Sequence, residues 1–482
     1  MRRVGVALSA SASSVPLVVD VDGTLIRTDL LYEAFLDTVG LGTRHVLAVA
    51  QSLAAGKAAL KRFLAERSGL AYETLPYDPA VLDLVRSARA EGRPVYLATA
   101  GDRLHAEKIM TELGLFDGFY ASDGRTNLSG DAKADKLAAE FGEQGFDYVG
   151  NDAADLPVWR KARRAYGIRL VATVKARLAA LKPDWVELSA EPASLRVWAK
   201  AIRVHQWSKN LLVFVPLITA HHFGLADLGA ALIAFAAFSL CASSVYLVND
   251  MVDLKADRAH PTKRNRPLAA GRITIAEGAI AAAVLLAVSA GLALMVSPVF
   301  LMILALYYLS TLAYSFVLKR KLMADVIVLA GLYGLRVFAG AVAIGVFVSE
   351  WLFAFSILFF TALALVKRHV ELSVLMARGF DQSANRGYRV ADRAIVLALA
   401  AAAGMNAVTI FAFYVSTPTV AGLYTHPQIL WLICPILLYW IGRVLMMAGR
   451  GDLDDDPIVF AIRDRNSWAA AAFSGACILA AL

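Results

Sequence analysis

Cysteine is scarce: only Cys241, Cys434 and Cys477 occur in 482 residues, each inside an apolar run and none at metal-ligand spacing. That argues against a disulfide framework or a cysteine-held zinc. The opening stretch, MRRVGVALSASASSVP, has two arginines but a very short apolar run, too little for a secretory signal. The N-terminus is therefore expected to stay in the cytoplasm. Long apolar runs are missing before about residue 196, where the composition is that of a mixed soluble domain.

Apolar residues dominate the rest of the chain. The hydrophobic fraction is 58%, aromatics make up 10%, and mean hydropathy is +0.57, values that point to a membrane protein. The chain is too long for one ordinary soluble domain. Nine candidate spans lie near 208–222, 228–249, 275–296, 298–318, 323–346, 351–367, 393–415, 426–447 and 467–482. Connections after the second, fourth, sixth and eighth spans are rich in Lys and Arg, whereas those after the first, third, fifth and seventh contain neither. The positive-inside rule then puts the even connections and the N-terminal domain on the cytoplasmic side. The net charge of +8 has the same origin, so no nucleic-acid partner is expected. The bilayer is the first partner, and Arg196 to Trp207, basic and aromatic, reads as an interfacial helix.

Before the spans, PLVVDVDG, RPVYLATAG, FDYVGND and YGIRLVAT read as buried strands separated by helices, which implies a parallel sheet covered on both faces. A helical insert of roughly 60 residues between the first two strands could cap a site. KPDWVELSAEPAS reads as a linker, giving domains 1–190 and 191–482.

The second span ends in Asn249 and Asp250, followed by Asp253 and Asp257. On a continuing helix the three aspartates share one face, where they repel one another and are costly to desolvate. Magnesium relieves both penalties and prefers a few carboxylates plus substrate phosphate oxygens. Lys263, Arg264 and Arg266 come next, a cluster of cations able to clamp phosphate or simply to obey the positive-inside rule.

The nine-span layout with Asn-Asp-x-x-Asp-x-x-x-Asp resembles the UbiA superfamily of intramembrane prenyltransferases. Within it, the chain is most similar to the decaprenyl-phosphate 5-phosphoribosyltransferase branch, on Gln206-Trp207-Ser-Lys209-Asn210, Tyr246 to Asp250, Asp257-Arg258-Ala-His260-Pro-Thr-Lys263-Arg264, Arg266 to Gly271, Tyr314-Ser315, Lys319 and Asp325. The resemblance implies that Asn249, Asp250, Asp253 and Asp257 bind Mg2+ and a diphosphate. Ordinary members carry a second aspartate pair, but here Leu329 stands four residues after Asp325, and Lys319 and Lys321 precede it. One acidic cluster with extra cations suits phosphoribosyl pyrophosphate as donor and polyprenyl phosphate as acceptor. Asp325 would orient the ribose or stabilise its cation-like carbon. Arg336, three turns further along the same face, could bind substrate or pair with Asp325. Lys367, Arg368, Glu371, Arg386 and Tyr388 match a cavity-facing segment of the branch, as candidates for the ribose 5-phosphate or the lipid phosphate.

Asp20-Val-Asp22-Gly23-Thr24 follows the first strand, a compact magnesium and phosphoryl site. It resembles the haloacid dehalogenase (HAD) superfamily over roughly residues 16–175. The resemblance makes Asp20 the nucleophile, Asp22 the acid and base, Thr99 a phosphoryl-binding hydroxyl and Lys133 the neutralising cation. Asp20, Asp22, Asn151, Asp152 and Asp155 are the metal candidates. Asn151 departs from the family, which has an acid there.

The expected architecture is an α/β Rossmann-like HAD domain with a helical cap, then an all-α nine-helix transmembrane UbiA-type bundle in a bacterial inner membrane. The expected function is magnesium-dependent phosphoribosyl transfer to polyprenyl phosphate, followed by removal of the 5-phosphate. Two alternatives stay open: a prenyltransferase with an aromatic acceptor, and a non-catalytic HAD module. The sequence leaves the oligomeric state open, a homo-oligomer included.

Overall fold

The computed structural model describes residues 15–482 apart from 41–42, 124–125, 189–193, 348, 383–385 and 454–456. Most of the opening stretch and the 190/191 boundary lie outside the described residues. The chain forms two compact units, one of residues up to Ile202 with Tyr246–Ala281, the other of Arg203–Val245 with Ala282–Leu482.

The first unit is built on a parallel six-stranded sheet of order β3-β2-β1-β4-β5-β6. The strands are β1 (Leu17–Val19), β2 (Val95–Asp102), β3 (Gly118–Ser122), β4 (Asp147–Gly150), β5 (Ala165–Ile168) and β6 (Val186–Leu188). Successive side chains of β1 point to opposite faces. Leu17 and Val19 join the core under the helices Pro79–Ala90 and Arg103–Leu113, and Val18 joins Tyr148, Trp159 and Leu178 on the other side. Both faces are therefore apolar, as the unbroken LVV requires. Two strands were not expected. β3 is half-buried throughout most of its length, and β6 is a short edge strand within the stretch read as linker. Neither has the continuous apolar run that marked the others. The expected cap is present as the helices Leu30–Gly40, Thr43–Ala54 and Lys57–Arg67.

Residues 246–281 belong to this unit. Arg258 donates to both Glu33 oxygens, at 2.6 and 2.7 Å, and through Nε to the Ala269 carbonyl at 3.0 Å. Both side chains of the pair are almost fully buried. Arg258, part of the basic motif, thus serves a carboxylate of the cap rather than phosphate. Gly271 (φ +63°) lies where a Cβ would come within 2.5 Å of the Arg27 Cβ, so a larger residue would be strained and would clash there.

Among the described residues, seven helices are long and apolar enough to cross a membrane: Leu225–Val252, Ile275–Val296, Pro298–Phe316, Ala324–Ala343, Glu350–Ala377, Val390–Val415 and Pro427–Arg450. The other two expected spans differ. The first is divided into a 3-10 helix, Val204–Phe214, and a short α-helix, Val215–Thr219, whose second residue is Pro216. Pro lacks the N–H that a continuous helix needs. The last is the helix Arg465–Ala481, of 17 residues. Within the second unit, the core is formed by residues such as Val326, Phe360, Leu363, Trp440 and Val444. Val213 packs so closely on Gly340 that a Cβ there would lie 2.0 Å from the Val213 carbonyl oxygen. Leu294, Met295 and Met302 point outward, as lipid-facing residues do.

Replacing Arg258 by Met leaves the Glu33 carboxylate buried and unpaired, and is expected to cost about 3–5 kcal/mol. The thermal midpoint of the detergent-purified protein should fall, and the double variant Glu33→Leu/Arg258→Met should regain most of the loss.

Candidate active sites

A cavity of about 900 Å3 opens in the first unit at the C-terminal ends of β1, β2 and β4. Open parallel sheets bind ligands at this end. Asp20, Asp22, Lys133, Asn151, Asp152 and Asp155 all line it. Lys133 Nζ donates to Asp20 Oδ1 at 2.8 Å and lies 3.4 Å from Asp155 Oδ1, which also accepts from the Tyr148 hydroxyl at 2.7 Å. Asp22 accepts from the Leu30 N–H at 2.9 Å and lies 3.4 Å from the Thr99 hydroxyl. The Thr24 hydroxyl donates to Asn151 Oδ1 at 3.1 Å. Gly23 (φ +72°) permits this approach, because a Cβ there would meet the Asn151 amide at 2.2 Å. Asp152 is exposed and caps the turn Ala153–Asp155.

Burial pushes the Asp20 carboxyl up to about 6, against the opposing pull of Lys133. Asp22 is pushed up to about 8 by burial and by the neighbouring Asp29 charge. Lys133 stays firmly protonated: burial works against its charge, but Asp20 and Asp155 more than offset that. Two crowded carboxylates, Asp20 buried and Asp22 half-buried, and the Asn151 carbonyl are hard oxygen donors. That donor set fits Mg2+, which would relieve their repulsion.

At the aspartate helix the outcome differs from expectation. The helix Leu225–Val252 stops before Asp253, which opens the next helix, Leu254–Ala259, at φ −87° and ψ 10°. Asp250 and Asp257 are buried, and both meet Arg266 Nη1, at 3.1 and 2.6 Å. Among the described residues, no group of three or more His, Cys, Asp or Glu is placed to hold a metal. Asp250 and Asp257 thus converge on one guanidinium nitrogen. Those oxygens remain hard donors suited to Mg2+, with Arg266 taking the cation's part. Asn249 and Asp253 are half-buried beside them, and Lys263 and Arg264 are exposed on a 3-10 turn.

In the second unit, Asp325 is fully buried and accepts from Arg368 Nε at 2.6 Å and the Tyr388 hydroxyl at 2.8 Å. Arg386 lies 3.5 Å from Asp325 and 3.3 Å from Glu371, which also binds Arg368. Tyr314 accepts from both arginines, at 3.4 and 3.3 Å. Five expected residues therefore gather around Asp325. Arg336 does not pair with Asp325. Its donors go to Asn210 Oδ1 at 2.8 Å, the Tyr307 hydroxyl at 2.7 Å and the Leu332 carbonyl at 2.6 Å. Arg368, from a helix distant in sequence, occupies the place that helix-face reasoning gave to Arg336. Lys209, Lys319 and Lys367 are half-buried, and Lys321 is exposed.

Residues 211–469 match the UbiA prenyltransferase family, and residues 17–160 match haloacid dehalogenase-like hydrolases. The chain belongs to the UbiA prenyltransferase family. It is 39% identical to an uncharacterized protein, y4nM, of Sinorhizobium fredii, over 97% of this chain and 90% of that one. Nodulation protein NoeC of Azorhizobium caulinodans is 32% identical over 59% of this chain and 92% of its own. Decaprenyl-phosphate phosphoribosyltransferase of Mycobacterium tuberculosis is 39% identical over 37% of this chain and 61% of its own length. This UbiA protein is thus a multi-pass membrane protein with a HAD-like domain in front.

Sequence reasoning missed several residues of the HAD cavity. Lys61, from the cap, donates to the Ala100 carbonyl at 2.6 Å and Asn127 Oδ1 at 2.8 Å. Arg169 binds Asp78 and donates to the Gly23 and Thr24 carbonyls, at 2.6 and 3.1 Å, fixing the turn after Asp22. The lysine-rich insert was the one signal for Lys61; nothing in the sequence marked Arg169.

His105, on the cavity wall, is pushed down to about 4 by burial and by Lys108, and its Nδ1 lies 2.6 Å from the Tyr72 hydroxyl. Between pH 6.5 and 4 the unfolded chain binds a proton there that the folded chain does not. Stability therefore falls as pH drops through that window, by about 3 kcal/mol in all. In melts across this range, His105→Gln should show a shallower decline than the parent protein.

Proposed function

We propose that this UbiA protein transfers 5-phosphoribose from phosphoribosyl pyrophosphate to polyprenyl phosphate, and that its HAD domain then removes the 5-phosphate. The transfer breaks the bond between the ribose anomeric carbon and the pyrophosphate oxygen, and forms one from that carbon to an oxygen of the lipid phosphate. Pyrophosphate leaves. Support comes from the similarity to the mycobacterial decaprenyl-phosphate phosphoribosyltransferase, and from Leu329 where a second acid pair would otherwise be completed. Asp250 and Asp257, with Asn249 and Asp253 beside them, would hold Mg2+, which neutralises charge growing on the departing pyrophosphate. Arg266, Lys263 and Arg264 supply further cations to the phosphates. Asp325, held by Arg368 and Tyr388, presents a fixed negative charge for a cation-like anomeric carbon. Lys209, Lys319, Lys321, Lys367 and Arg386 are the candidates for the two phosphate groups.

In the HAD domain the observation that carries the reading is one cavity holding Asp20 against Lys133 and a second, half-buried carboxyl, Asp22. An Asp20 oxygen attacks phosphorus while the bond to the ribose O5 breaks, and Asp22 gives that oxygen its proton. Asp22 then takes a proton from the water that releases inorganic phosphate. Its raised pKa suits a donor at neutral pH. Thr99 and Lys133 hold the phosphoryl oxygens, and Asn151 offers a carbonyl where an acid is usual. The segments Val204–Thr219 and Arg465–Ala481 would complete a nine-helix bundle. The division at 190/191, both sites on the cytoplasmic face, and a bacterial inner membrane complete the proposal.

Purified protein given phosphoribosyl pyrophosphate, polyprenyl phosphate and Mg2+ should release pyrophosphate and yield a lipid-linked ribose without a 5-phosphate. Asp20→Asn should leave pyrophosphate release intact and the 5-phosphate in place; an unchanged product refutes the coupling, and absence of pyrophosphate refutes the transfer.

Asp29→Asn removes a negative charge that helps hold Asp22 protonated. The Asp22 pKa falls, so the proton donor is lost at lower pH. The basic limb of the phosphatase pH–rate profile should accordingly move to lower pH, and a limb that stays put would remove Asp22 from the role of acid.

A further inference from the structure

The cavity around Asp20 is not made by the HAD fold alone. Gly271, Arg272, Thr274 and Glu277, from the loop after the aspartate helix and the start of the next span, line the same space as the nucleophile. This wall is fixed from two sides. The buried Glu33–Arg258 pair ties the aspartate segment to the cap, and Gly271 lies against Arg27.

Five cations line the cavity: Arg27, Lys61, Lys133, Arg169 and Arg272. Lys133 is committed to Asp20 and Asp155, and Arg27 and Arg169 are both committed to Asp78. Lys61 is hydrogen-bonded to the Ala100 carbonyl and Asn127. Arg272 is exposed at the wall and makes no ion pair with the described residues. A phosphate monoester needs one anion site, which the surroundings of Asp20 and Lys133 provide. The guanidinium of Arg272, which lines the same cavity, offers a second.

We infer that Arg272 sets the specificity of the HAD site by binding a second anionic group on its substrate, the phosphodiester that joins ribose 5-phosphate to a lipid. This rests on the phosphatase reading above and deepens it. The wall comes from the transferase segment itself, so the cavity discriminates the linked product from free sugar phosphates. A planar guanidinium matches two phosphate oxygens at once. Free ribose 5-phosphate has no group to reach it.

The test compares two soluble compounds in full-length, detergent-purified protein: ribose 5-phosphate, and its derivative with a methyl phosphodiester at the anomeric carbon. Phosphate release gives kcat/KM for each, and their ratio measures discrimination. The parent protein should prefer the diester derivative. Arg272→Ala should lower the ratio about tenfold, mainly through KM, Arg272→Glu should lower it further, and Arg272→Lys should recover part of it. A ratio unchanged in both Arg272→Ala and Arg272→Glu, or no preference in the parent protein, overturns the inference while leaving the phosphatase intact. If the parent protein hydrolyses neither compound, the phosphatase reading fails and the inference with it.

Discussion

A carboxylate withdrawn from water is costly unless it meets a cation, and four of the buried acid sites among the described residues show how that cost is met. Asp20 meets Lys133, Glu33 meets Arg258, Asp250 and Asp257 meet Arg266, and Asp325 meets Arg368. The desolvation penalty of a buried ion is several kcal/mol, so none of these acids could be retained without its partner. The differences between the four points are chemical. Glu33 and Arg258 are matched one to one, with two guanidinium nitrogens and both carboxylate oxygens used, and nothing is left for a ligand. Asp250 and Asp257 share one guanidinium nitrogen of Arg266, so two acids converge on a single donor. Asp20 and Asp22 are raised first by burial, with the neighbouring carboxylates Asp155 and Asp29 adding to it.

The same accounting explains how segment 246–281 can be both part of a UbiA sequence and a wall of the HAD cavity. Its buried arginine is matched to a cap carboxylate, and its glycine admits the backbone of the turn near Arg27. A fusion that merely joined two enzymes by a linker would need neither feature.

Much of this was legible in the sequence. β1, β2, β4 and β5 announced themselves because central parallel strands are apolar on both faces; Asp20 and Asp22 follow β1, whereas Thr99 in β2 and Lys133 on the helix Asp131–Phe141 were marked by the resemblance to the HAD family. The long apolar runs located seven spans. β6 was hidden because an edge strand of three residues carries no pattern, and Pro216 divided a run that hydropathy alone reads as continuous. Pairing across distant helices was the main blind spot. Helix periodicity puts Arg336 on the face of Asp325, but it says nothing of Arg368, 43 residues further on, which takes the pairing. Lys61 and Arg272 escaped for the same reason, since only the folded chain brings them to the nucleophile's cavity.

We propose that the acid sites at Asp20 and Asp22 and at Asp250 and Asp257 each hold a divalent cation. This is tested most directly by counting bound Mn2+ as a paramagnetic stand-in for Mg2+, by titrating the full-length protein in the presence of pyrophosphate. The account predicts two sites per chain, one lost in Asp20→Asn and the other in Asp250→Asn. A stoichiometry that neither substitution changes would contradict it.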